Sequence, residues 1–154
     1  MRAGVICVAL FLSITAANAA QPAKTDNPDK TDKAPIGYWY EEAHYGGQRV
    51  LELLHIKPDG TFSSHHRICI PHHPEEDDNS GYWSYESGKM RLTTTRIDGL
   101  PTYSADNYLT ESYDGQIWAY RAIGGDAYKI YGPVRFRDVR VTADSKLPAC
   151  DLTS

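Results

Sequence analysis

Glycine-containing pairs punctuate the chain at Gly46-Gly47, Asp59-Gly60, Ser80-Gly81, Ser87-Gly88, Asp98-Gly99, Asp114-Gly115 and Gly124-Gly125, and the segments between them are short. Such pairs suit the tight, positive-φ turns that join antiparallel neighbours. No segment between them shows a long 3.6-residue apolar period. The pattern predicts an all-β antiparallel meander of eight or nine strands: Tyr38 to Glu42, Arg49 to Ile56, Thr61 to Ile70, Tyr82 to Tyr85, Lys89 to Arg96, Asn107 to Tyr113, Gln116 to Ala122, Ala127 to Tyr131 and Val134 to Val141. That number closes readily into one barrel or sandwich. Phe62, Ser64, His66, Ile68 and Ile70 share one face, as do Met90, Leu92 and Thr94. Residues 49–55 also fit a pair of helical turns, and only their length and flanking turns favour a strand. Val134 and Phe136 are out of phase with Val139 and Val141, which predicts a bulge near Asp138.

Composition agrees with this reading. Tyr, at 11 residues against three Trp and three Phe, dominates the aromatics; it packs well on a pleated surface while keeping its hydroxyl near water. The formal net charge of -4 and pI of about 5.8 give no electrostatic attraction toward phosphate backbones or anionic lipid. A nucleic-acid partner is therefore not expected.

The ends of the chain read differently from its middle. Arg2, an apolar run from Val5 to Ile14 and the small-x-small site Ala17-Asn18-Ala19 form a secretory signal peptide over residues 1–19, too short to span a bilayer. Cys7 lies inside the apolar run and Gly4 stands where a lipobox wants Leu, so no lipid anchor is expected. Residues 20–35 contain no large apolar side chain and read as a disordered leader. A domain over residues 36–154 follows, exported to the periplasm or secreted, with no integral membrane segment in the mature chain. Cys69 and Cys150 are the two remaining cysteines in a chain bound for an oxidising compartment, which predicts a Cys69–Cys150 disulfide. Two separate reactive or metal-binding thiols are the alternative.

Gly37-Tyr38-Trp39 recurs as Gly81-Tyr82-Trp83, each opening a strand. These two openings, the Asp59-Gly-Thr-Phe62 hairpin, the Tyr-led central hairpin and an Arg near the last strand together resemble the lipocalin-like proteins of the calycin superfamily over residues 36–141. The resemblance implies a lipocalin-like barrel in which an Arg of the last strand, Arg140 or else Arg137, covers Trp39. It also implies a disulfide tying the C-terminal tail to a middle strand, similar to the bridge expected from compartment. Asp106-Asn107-Tyr108 is a loose echo of the family's Thr-Asp-Tyr triplet, and no long C-terminal helix follows the barrel.

Two groups of residues are candidates for binding. His65, His66, His72 and His73, followed by the acidic run Glu75 to Asp78, carry the imidazoles and carboxylates that suit zinc or copper. The opposing and favoured reading is a polar hairpin loop whose tip the acids solvate, because His65 and His66 point to opposite faces of a strand. Tyr108, Trp118, Tyr120 and Tyr128, on adjacent expected strands, form either a ligand cup or a filled core. No nucleophile elbow, metalloprotease helix or phosphate loop is present. Ser63, Ser64, His66 and Asp77 make only a nominal triad, so no enzymatic activity is expected. The expected function is a non-enzymatic exported barrel that binds a small molecule or a metal ion. The alternatives are a protein–protein module, such as a periplasmic inhibitor of an exported protease or lysozyme, and a structural envelope protein without ligand.

Overall fold

The computed structural model describes residues 33–45, 47–71 and 73–150. The expected signal peptide and residues 20–32 of the expected leader lie outside the described residues. Eight strands run β1 (Gly37–Tyr45), β2 (Gln48–Ile56), β3 (Thr61–Cys69), β4 (Glu75–Glu86), β5 (Lys89–Ile97), β6 (Leu100–Tyr113), β7 (Ile117–Gly125) and β8 (Arg135–Val141). Each pairs antiparallel with the next, and β8 returns to β1 to close the barrel. Asp59-Gly60, Ser87-Gly88, Asp98-Gly99 and Asp114-Gly115 sit between strands as the sequence predicts, whereas Ser80-Gly81 lies inside β4 at a register shift and Gly124-Gly125 ends β7. Among the described residues no helix is long and apolar enough to cross a membrane.

Three expectations need correction. The segment expected as a strand over Ala127 to Tyr131 is a short helix, α1 (Asp126–Tyr131), between β7 and β8. Its cause is partly non-local: Gly125 (φ 96°) and Gly132 (φ 75°) turn the chain at either end. The Asp106 carboxylate of β6 accepts the Ala127 N–H at 2.6 Å, and the Ser104 hydroxyl donates to Asp126 at 2.9 Å. The bulge expected near Asp138 does not exist. The β7–β8 register runs unbroken from Ile117↔Val139 to Arg121↔Arg135, and the in-phase inward positions are Phe136 and Asp138, the latter a fully buried carboxylate. Finally, Glu75 to Asp78 do not cap a loop. They open β4 and pair rung by rung with Ile68, Arg67, His66 and His65.

One end of the barrel is packed shut. Trp39, Trp118, Ile56, Leu54, Phe62 and Met90 are buried there, and Trp83, Tyr85 and Tyr113 pack against them. The guanidinium of Arg140 lies 4.6 Å above the Trp39 ring, a cation–π contact; Arg140, not Arg137, therefore fills that place. Both indoles of the repeated Gly-Tyr-Trp donate to backbone carbonyls at this end, Trp39 to Pro35 at 2.6 Å and Trp83 to Lys57 at 2.8 Å. Pro35 is itself buried, so the packed domain already includes it. The two glycines are set by close approach: a Cβ on Gly37 would meet the Arg140 guanidinium, and one on Gly81 would meet the Thr93 carbonyl.

The tail after β8 lies against the outside of β2 and β3. Arg67 donates to the carbonyls of Leu147 at 3.2 Å and Pro148 at 2.5 Å, Arg49 donates to Ala149 at 3.3 Å, and Cys69 bridges Cys150. Leu51, paired with Arg67 and facing outward, is completely buried.

Two outcomes follow. The disulfide closes a loop with a sequence separation of 81, so Cys150→Ser should lower unfolding stability by about 2–4 kcal/mol, read from urea midpoints. Gly81→Ala should cost about 1–3 kcal/mol in the same assay, because the Thr93 backbone cannot move without breaking its rung.

Candidate functional site

The other end of the barrel is polar, and the strand registers explain why. Pairs Glu41↔Glu52, Glu52↔His66 and His66↔Asp77 place four ionisable side chains in one row across β1, β2, β3 and β4. Three of them share strand parity with apolar interior residues: Glu41 with Trp39, Glu52 with Leu54 and Ile56, His66 with Phe62. Strand alternation therefore carries them inward.

His66 sits between two carboxylates. Its Nε2 is 2.8 Å from Glu52 Oε1 and its Nδ1 is 3.1 Å from Asp77 Oδ1, while Asn79 Nδ2 donates to Asp77 at 2.7 Å. Burial disfavours the imidazolium, but the Glu52 charge and the hydrogen bonds with Asp77 and Glu52 outweigh it and push His66 up to about 10. Glu52, despite burial, is held below its ordinary value by the facing His66; the His66 hydrogen bond lowers Asp77 in the same way. At neutral pH this is an imidazolium clamped by two carboxylates.

A nominal serine triad is present in distance but not in charge state. Ser64 Oγ is 3.3 Å from His66 Nε2, and Nδ1 of the same ring faces Asp77. Activation of a serine requires a neutral imidazole that can take its proton. Here Glu52 holds that nitrogen at the shorter distance and also bonds the Ser64 hydroxyl.

Asp138 occupies the next inward position on β8. Its carboxyl accepts from the Tyr120 hydroxyl at 3.1 and 3.3 Å. Burial, then the charges of Glu41 and Glu52, raise it well above the usual carboxylate range, so the neutral acid is favoured. Burial and Asp138 likewise raise Tyr120.

Opposite the acidic row stands an aromatic wall. Tyr120 stacks on Phe136 at 5.1 Å and on Trp118 at 4.0 Å, and Tyr108 meets Tyr120 and Phe136 edge-on at 5.3 and 5.7 Å. Trp118 Nε1 donates to Thr110 Oγ1 at 3.1 Å. The floor is dry, yet inward-facing side chains above it keep contact with solvent: 21% of Glu52, 28% of His66 and 31% of Asp77 are exposed. The partly exposed inward residues Glu52, His66 and Asp77 thus lie away from the Trp39 end, toward the β1–β2, β3–β4 and β5–β6 turns.

Of the expected aromatic set, Tyr108, Trp118 and Tyr120 come together on this wall, whereas Tyr128 lies on α1 and is 41% exposed. The histidines are dispersed. His66 faces inward; His65 faces outward, with Nδ1 2.8 Å from Asp78 and Nε2 3.6 Å from Glu76; His73 is exposed on the β3–β4 loop; His72 lies outside the described residues. Among the described residues no group of three His, Cys, Asp or Glu is placed to hold a metal ion. Sequence reasoning missed Glu41, Glu52 and Asp138, although their phase with Trp39, Leu54 and Phe136 was the available signal. Comparison with protein-family models, curated proteins and solved structures finds no match to the chain.

The buried acid sets a pH dependence. In the native state Asp138 keeps a proton that the unfolded chain releases above about pH 4, so its contribution to stability falls as pH rises through that value. His66 acts in the same direction later: its contribution is complete below about pH 6.5 and is lost toward about 10. Asp138→Asn should therefore match the parent near pH 4 and exceed it by about 1 kcal/mol or more at pH 7–8, measured by urea unfolding across pH. An equal pH slope in both proteins would contradict the neutral buried acid.

Proposed function

We propose that the protein is a non-enzymatic, exported, lipocalin-like barrel that binds a small organic molecule in a cup formed by its interior. The observation that carries this reading is the division of the cup into an acidic wall (Glu52, His66, Asp77) and an aromatic wall (Tyr108, Tyr120, Phe136) above a sealed floor. A barrel of eight strands has interior room for one small ligand. Two carboxylates against one imidazolium leave the acidic wall with excess negative charge before Glu41 is counted. The matching ligand has a planar or apolar body and a positively charged, hydrogen-bond-donating head. Asn79 Oδ1, buried and without a partner in the protein, offers one more acceptor beside Asp77. A metal ion fits less well, since both nitrogens of His66 are already engaged by carboxylates.

A second reading, a protein–protein module such as an inhibitor of an envelope enzyme, is favoured by the rim of the cup. Leu100 and Tyr103 on the β5–β6 hairpin are each 71% exposed, and Ile130 on α1 is 70% exposed. All three belong to connections away from the Trp39 end.

Phenethylamine and its neutral alcohol analogue separate these readings, with Trp118 fluorescence as the readout. The amine should bind with micromolar affinity, the alcohol at least tenfold more weakly, and Glu52→Gln should remove most of that difference. Equal or absent binding of both would reject the cup. Retention of an envelope protein by the parent, lost in Leu100→Ser/Tyr103→Ser, would support the module.

A further inference from the structure

The outer wall of the barrel carries a hollow on the side away from the disulfide-bridged tail. On β4, β5 and β6, Trp83, Tyr85, Met90, Leu92 and Tyr108 belong to the core or pack against it, so the alternate positions Ser84, Arg91 and Asn107 face outward. The rungs Ser84↔Arg91, Arg91↔Asn107 and Asn107↔Gly124 set them in one row across four strands, with directly opposed neighbours about 5 Å apart. The row ends in a glycine, and the register shift at Asn107/Tyr108 leaves Ile123 without a partner on β6. Here lies a cavity of about 350 Å³ whose lining includes Ser84, Glu86, Lys89, Arg91, Asn107 and Ile123.

Each polar side chain of the row can donate: Arg91 through a guanidinium fork, Asn107 through an amide, Ser84 through a hydroxyl. Among the described residues none of the three has a side-chain hydrogen bond or ion pair. Glu86, the one acid of the lining, stands opposite Lys89 across the β4–β5 hairpin, which leaves Arg91 as the unopposed cation. The wall beyond has the same sign. Glu111 pairs with both Arg121, at 3.4 Å, and Arg135, at 3.1 Å, one carboxylate for two guanidinia, and Arg137 is exposed at the next outward position of β8. A chain of formal net charge -4 thus turns a positive face outward here while its acids line the interior.

We propose that this hollow is a second binding site, for a phosphate monoester: Arg91 takes two of the phosphate oxygens, Asn107 and Ser84 donate from either side, and Ile123 meets the organic group of the ester. Such an ester carries three strong acceptor oxygens and about -1.5 to -2 charges at neutral pH, which matches a guanidinium fork flanked by two neutral donors. The acidic interior repels the same anion, so the site stands independently of the cup.

Phenyl phosphate titrated into the whole protein at pH 7.5, above the second ionisation of the ester at about pH 6, and followed by amide correlation NMR, tests the site. Shifts should concentrate at residues 84, 89–91, 107 and 123–124, leave the Trp39 and Trp118 indole signals unmoved, and give a submillimolar Kd. Benzyl alcohol, similar in outline but uncharged, should move none of the outer-wall signals. Arg91→Gln should weaken binding at least tenfold, and Arg91→Lys, which keeps the charge without the fork, about fivefold. Arg137→Gln, on the same wall but outside the hollow, should change it less than twofold. Phosphatidylcholine vesicles carrying phosphatidic acid separate the two sources of such an ester. Co-sedimentation that Arg91→Gln abolishes upholds the site with a lipid headgroup as its ligand; binding of phenyl phosphate without co-sedimentation upholds it with a soluble ester. No binding of phenyl phosphate, equal shifts with benzyl alcohol, an affinity unchanged by Arg91→Gln, or equal weakening by Arg137→Gln would overturn the proposal.

Discussion

The imidazolium of His66 is what allows this barrel to hold carboxylates inside its wall. An unpaired charge in such a setting costs several kcal/mol and would be neutralised or expelled. His66 instead satisfies Glu52 with one nitrogen and Asp77 with the other, tying β2, β3 and β4 together through side chains as well as backbone. The same clamp directs both imidazole nitrogens at carboxylates.

The opposite end obeys a different rule. Trp39 is covered by Arg140 from above and gives its N–H to Pro35, so a polar group closes an apolar plug without leaving any donor unmet. The guanidinium sits against Gly37, where no side chain could fit. The terminal strands are held together more by this knot than by the length of their ladder.

The meander was readable because Asp59-Gly60, Ser87-Gly88, Asp98-Gly99 and Asp114-Gly115 fall where strands reverse. What escaped were features whose causes lie far away in sequence. Tyr128 and Ile130 alternate as a strand would, and the bonds from Ser104 and Asp106 on another strand, beside the turns at Gly125 and Gly132, explain the helix. The run Glu75 to Asp78 looks like a solvated tip until its order is compared with His65-His66-Arg67 read backwards. The rungs Arg67↔Glu76, His66↔Asp77 and His65↔Asp78 are opposite in charge when the imidazoles are protonated, and cross-strand complementarity of this kind stabilises a hairpin. Asp138 was misjudged because an acid in phase with Phe136 was read as slipped register rather than as a buried acid. For the candidate site, the aromatic half was legible from composition and strand neighbourhood. The acidic half required the register.

Interruptions of the ladder are unevenly spread. Register shifts occur at Ser80/Gly81, Thr94/Arg96, Asn107/Tyr108 and Thr110/Ser112, whereas β1, β2 and β3 pair without a break and carry the bridged tail on their outer surface. Glu41, Glu52 and His66 stand on this continuous frame. Tyr108 stands on β6, whose register shifts against both β5 and β7. In the proposed reading, the polar head of a ligand meets strands whose pairing is unbroken, and its body meets strands whose ladders shift register.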